Sequence, residues 1–147
     1  MAEPRPERPE VITLSIPSRL ELLNLVDQVA SVLSAHLRFG EEERAAISLA
    51  VVEAGTNAIQ HGSGRDPARP VEVVFSMYPD RLEVSVHDQG PGFDLAGVSG
   101  DVTLPEHLLD SRGRGIFIMR ACMDSVDFTF DESGTTCRLV KRRSSGG

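Results

Sequence analysis

Apolar and polar residues alternate along VITLSI, so Val11 to Ile16 reads as a first strand. Leu20, Leu23, Ala30, Leu33 and Leu37 then recur at helical spacing. They predict a helix from about Arg19 to Leu37, opened by Ser18 and Glu21 in capping-box spacing. Gly40 interrupts the chain, and EEER places acids where the positive end of a helix dipole favours them. This second helix is expected to run to about His61 and Gly62. GSGRDPARP reads as loop, VEVVFSMY and RLEVSVHD as two strands turned by Pro79 and Asp80, and QGPGFD as a glycine-rich break. Residues 94–112 carry no strong periodicity. GRGIFIMRACM predicts a third helix, and VDFTFD and TTCRLVKR a closing hairpin around ESG.

Strands paired by hairpins, with helices between the groups, point to an α+β two-layer sandwich. Its sheet is expected to be mixed and mostly antiparallel, with the helices on one face. The ordered domain should span residues 11–141, after a disordered, Pro-rich arm over residues 1–10 and before a flexible tail over residues 142–147.

Composition narrows the function. A chain of 147 residues can bury a core without disulfide or metal staples. Its formal charge of −7, with no Trp and Tyr78 as the single Tyr, argues against direct nucleic-acid binding. No run approaches the ~18 apolar residues of a membrane helix, and MAEPRPERPE lacks the apolar core of a signal peptide. A cytoplasmic location is expected, with Cys122 and Cys137 as reduced thiols outside any metal-ligand spacing.

Four stretches carry candidate chemistry. In EAGTNAIQH, Glu53, Asn57 and His61 stand four residues apart and make one polar stripe on an otherwise apolar helix. An Asn oxygen can complete a Mg²⁺ shell, and a Glu can orient or deprotonate a hydroxyl. A satisfied core network, or a capped helix end at His61, is the alternative. In HDQGPGFD, Asp88 ends a strand, followed by Gly90 and Gly92. A carboxylate there can accept an adenine amino group, and glycines let the backbone pass close to a flat base; a tight turn is the alternative. In SRGRGIFIMR, Gly113 and Gly115 open a helix whose free N–H groups, with Arg112 and Arg114, suit phosphate oxygens. In SGTTCRLV, Thr135 or Thr136 could share adenine with Asp88, or simply pair across a hairpin.

EAGTNAIQH, DQGPG, GRGIFIM and GTT together resemble, in order and rough spacing, the N box and the three G boxes of the Bergerat-fold (GHKL, HATPase_c) ATPases. GRGIFIMRACMDSV is similar to the G2 helix of one branch, the anti-sigma factor serine/threonine kinases of the RsbW and SpoIIAB type. The resemblance covers about residues 11–141. It implies ATP and Mg²⁺ as cofactors, Asn57 as the Mg²⁺ ligand and Glu53 as the catalytic base toward a partner's serine. It further implies that Asp88, with Thr136 or Thr135, reads adenine. Gly90 and Gly92 would hinge a lid over residues 94–112, and Gly113, Gly115 and the amides of Arg114 and Ile116 would hold phosphates. The implied partners are a STAS-domain anti-sigma antagonist and a sigma factor, with a homodimer compatible with the family. A nucleotide-binding module that sequesters a partner without phosphorylating it is the alternative. Gly55 departs from the family pattern, and a close approach by another element is the expected reason.

Overall fold

The computed structural model describes residues 8–64, 66, 68–92 and 111–144. The expected lid therefore lies outside the described residues except for its last two positions, as do the first seven residues of the arm and the last three of the tail.

Five strands form one sheet: β1 (Glu10–Ile16), β2 (Val71–Met77), β3 (Arg81–Asp88), β4 (Ser125–Asp131) and β5 (Gly134–Arg142). Their order is β1-β2-β3-β5-β4. Among the described residues every adjacent pair is antiparallel, in line with the mostly antiparallel sheet expected. The reason is topological. Two helices separate β1 from β2 and return the chain reversed. β3 and β4 do run the same way, but β5 lies between them and opposes both.

Helices α1 (Leu23–His36), α2 (Glu41–Asn57) and α3 (Ser111–Cys122) are the three α-helices among the described residues. They cover one face of the sheet, as the two-layer expectation required. Period-two alternation explains the layer. Leu82, Val84 and Val86 of β3 turn inward, as do Val71, Val73 and Phe75 of β2 and Cys137 and Leu139 of β5. They meet Val26, Ala30 and Leu33 of α1, Ile47, Ala50, Val51 and Ala54 of α2, and Ile116 and Met119 of α3. The opposite face is polar and carries the Arg81–Glu83–Arg138 ion pairs.

Local detail departs from expectation at Ser18. Ser18 does not cap α1. It is 1% exposed and donates its hydroxyl to the Arg69 carbonyl, while α1 is preceded by a 3₁₀ turn over Leu20–Leu22. The second helix reaches Gly62 as expected, with α geometry to Asn57 and a π-helical turn over Ala58–Gly62. Its outer side is open, with Leu49 47% exposed. The expected acids do sit in its first turn, and Glu43 Oε1 accepts the Gly40 N–H at 3.1 Å. Gly55 has the anticipated purpose: a Cβ there would stand 2.5 Å from Leu23 Cδ2, so the glycine lets α1 close on α2.

Candidate functional site

The polar stripe of α2 faces the start of α3. A Cβ on Gly115 would lie 3.0 Å from Asn57 Nδ2, 3.1 Å from Glu53 Oε2 and 3.2 Å from Asn57 Oδ1. The missing side chain leaves a cradle with a carboxylate and an amide on one wall. His61, the third member of the stripe, lies 2.9 Å by Nε2 from Ser111 Oγ, the first residue of α3. The stripe thus runs along the first turns of α3. The first turn of a helix offers backbone N–H groups and the positive end of its dipole, which favour an anion.

Asp88 is positioned by the sheet. It continues the inward alternation of Leu82, Val84 and Val86, and so arrives buried, at 6% exposure. Its Oδ1 accepts the Gly90 N–H at 2.8 Å. Burial pushes its carboxyl above the usual carboxylate range, against the opposing pull of that hydrogen bond and of His87 and Arg112. Register pairs Asp88 with Thr135, whose side chain shares its face. Thr136, the other threonine expected at adenine, is on the outer face, where His87 Nδ1 lies 2.8 Å from its Oγ1.

One partly open cleft joins Asp88 and Thr135 to Asn57. Asn57, Gly62, Asp88, Gly92, Arg112 and Thr135 supply its polar lining, and Ala54, Ala58, Met119, Phe128 and Cys137 its apolar walls. Gly92, with φ of 83°, sits where a Cβ would be 2.9 Å from the Phe130 ring. Gly113 and Gly115 are buried, whereas Arg114 is exposed. Ile116 is 1% exposed and packs in the core, in the second turn of α3. Cys137 is buried with its thiol pushed up to about 12, which makes it a wall and not a nucleophile.

Two buried polar atoms, Asn57 Nδ2 and Thr135 Oγ1, have no hydrogen-bond partner among the described residues. An unmet buried donor or acceptor costs about 1–3 kcal/mol, so both suit a bound polar ligand. An apolar slot with an acid at one end and a glycine-edged helix start at the other matches a purine nucleotide. Asn57 Oδ1 at the phosphate end suits Mg²⁺. Among the described residues no group of three or more His, Cys, Asp or Glu gathers as metal ligands. Mg²⁺ here would take its other oxygens from phosphates and water, as it usually does.

Comparison with known proteins agrees. The family described as the histidine kinase-like ATPase domain matches residues 16–141. Serine-protein kinase RsbW of Bacillus cereus (strain Q1) is 29% identical over 140 residues, covering 92% of this chain and 86% of its own. RsbW of Bacillus licheniformis is 31% identical over 137 residues, with 90% and 85% covered. The chain therefore belongs to the histidine kinase-like ATPase family and, within it, to the RsbW serine-protein kinase group. The solved RsbU and RsbW domains of a Mycobacterium tuberculosis protein match with a TM-score of 0.67 at 18% identity, covering 91% of this chain and 32% of that one. A blue-light activated histidine kinase from Erythrobacter litoralis gives 0.57 at 19% identity, covering 82% and 41%. The chain spans less than half of either solved protein, and these two likenesses speak for the fold alone. No helix among the described residues is long and apolar enough to cross a membrane.

Gly62, Met119, Phe128 and Cys137 entered no candidate site in the sequence. For Cys137 the signal was there: two residues beyond Thr135 on one strand, it must share its face. For Gly62 it was not, because a glycine at a helix end reads as a stop.

Proposed function

We propose that this protein is an ATP-dependent protein serine/threonine kinase of the cytoplasm. It transfers the γ-phosphoryl group of MgATP to a serine or threonine of a STAS-type anti-sigma antagonist, and alternately sequesters a sigma factor. The names of its RsbW relatives support the serine-kinase class. The observation that carries the proposal is the convergence of Glu53 Oε2 and the Asn57 amide on one point over Gly115, 3.0–3.2 Å away. A structural network would leave no reason for an Asn57 Nδ2 without a partner among the described residues, beside a carboxylate at the start of α3.

The roles follow from position. Asp88 accepts the adenine amino group, and Thr135 bonds the adjoining edge of the base; Thr136 is left to His87. Gly90 and Gly92 allow the backbone close to the base. The first-turn amides of α3, with Gly113, Gly115, Arg112 and Arg114, hold phosphate oxygens. Asn57 would hold Mg²⁺, which would offset the charge of phosphoryl transfer. Glu53, one helical turn earlier, accepts the proton of the incoming hydroxyl.

Glu53→Gln tests the proposal. It should nearly keep MgATP affinity, since neither adenine nor phosphate rests on it. Phosphate incorporation into the STAS-type partner should fall ~10²–10⁴-fold, toward the lower end because positioning dominates phosphoryl transfer. Parent-level transfer by the variant would make Glu53 structural. Tight, ATP-dependent partner binding by a parent protein that phosphorylates nothing would instead favour a sequestering module.

A further inference from the structure

Asp88 is also held by Gly62, one residue beyond the EAGTNAIQH stretch. The π-helical turn Ala58–Gly62 puts one extra residue into the end of the helix, and Ser63 N–H closes it on the Ala58 carbonyl at 2.9 Å. The turn is pinned from beneath. Ser63, 2% exposed, donates its hydroxyl to Ser18 Oγ at 2.7 Å, and Ser18 bonds the Arg69 carbonyl. Gly62 is thereby set directly against Asp88. A Cβ on Gly62 would collide with Cγ and both oxygens of the Asp88 carboxyl. The space around the neighbouring backbone is as tight: a Cβ on Gly90 would strike the Gly62 backbone, and one on Gly134 the Asp88 carbonyl.

We infer that Gly62 is a positioning residue for base recognition: as the wall behind the Asp88 carboxyl, it fixes where that carboxyl stands in the cleft. The inference rests on the nucleotide reading of the site. Its physical content, a steric dependence of Asp88 on position 62, exists without any ligand. Side chains larger than hydrogen at 62 push the carboxyl off its bond to Gly90 and off the plane it shares with Thr135. The consequence is selectivity as well as affinity. A 6-amino purine donates to a carboxylate in place, whereas a 6-oxo purine presents an acceptor to it.

The experiment is a double-mutant cycle of Gly62→Ala with Asp88→Ala, read in two ways. Thermal unfolding without nucleotide is the first. Gly62→Ala should lower the midpoint in the parent background and leave it unchanged or higher in the Asp88→Ala background, where the colliding carboxyl is gone. Calorimetric titration with MgATP and MgITP is the second. Gly62→Ala should weaken MgATP at least ~10-fold, the loss of about one hydrogen bond to a charged group. The ATP-over-ITP preference should fall toward one, and Asp88→Ala with Gly62→Ala should bind as Asp88→Ala alone. Should Gly62→Ala not fold, rescue of folding by Asp88→Ala supports the inference, and failure of the pair to fold overturns it. Full additivity in both readouts, or a Gly62→Ala protein with parent affinity and preference, also overturns it. A parent that binds no nucleotide while its unfolding cycle shows coupling removes the nucleotide reading and leaves the contact standing.

Discussion

Asp88→Asn sets stability against binding. The native carboxylate is 6% exposed and its Oδ1 is engaged by the Gly90 N–H. Burial raises its pKa from the ordinary value, so the charged form is disfavoured in the folded state. An asparagine of the same shape keeps an oxygen for Gly90 and removes the charge. The adenine amino group then loses one charge-assisted bond, about 1.5–3 kcal/mol, or roughly 10- to 150-fold in affinity. Unliganded stability should move the other way. A carboxyl whose folded pKa lies above its unfolded value binds protons more readily when folded. It therefore subtracts from stability fully above the folded pKa, and not at all below the unfolded value of about 3.9. Asp88→Asn should be the more stable protein at pH 7, and its advantage should shrink as pH falls through the window between those two values. Scanning calorimetry of both proteins across pH, with MgATP titration at pH 7, measures both halves. A variant that is less stable at pH 7 and binds MgATP like the parent would refute the view of Asp88 as a desolvated charge kept for a ligand.

Thr135→Val should weaken MgATP by about 0.5–1.5 kcal/mol with little change in unliganded stability, since the Oγ1 it removes has no partner among the described residues. Thr136→Val, which cuts the bond to His87, should leave MgATP affinity unchanged in the same titration. Asn57→Ala should abolish most of the advantage that Mg²⁺ gives ATP binding, measured as affinity with and without the metal. Gly55→Ala gains about 1 kcal/mol of helix propensity but meets Leu23 Cδ2, an overpacking that costs ~1–3 kcal/mol. Urea unfolding should show net destabilisation that Leu23→Ala partly relieves.

Period and punctuation made most of the fold legible. β2 and β3 alternate cleanly, Pro79 and Asp80 mark their turn, and ESG marks the last hairpin, so those elements fall within a residue or two of expectation. The stripe of Glu53 and Asn57 was legible because four residues make about one turn. What lay hidden depended on contacts between distant segments. Ser18 had capping spacing, yet Ser63 and the Arg69 carbonyl, 45 and 51 residues away, claim its hydroxyl. The π turn carries no local signature, since Ala58–Gly62 would suit an α-helix equally well. The choice between Thr135 and Thr136 waited on register, because one residue decides the face.

The position of β5 has a consequence for how the chain acquires its shape. This strand, Gly134–Arg142, lies between β3 and β4 and supplies both with hydrogen-bond partners. During synthesis β3 emerges about fifty residues ahead of its neighbour, and β4 emerges as an edge with nothing to pair. Until β5 leaves the ribosome, β3 has an unpaired edge and Asp88 has no Thr135 opposite it. The sheet therefore closes by insertion of a late strand, a non-local event that is slow and open to aggregation beforehand. Truncation within 134–142 would cost the whole domain and not only its margin, and destabilising changes in β5 should show first as lost yield on expression.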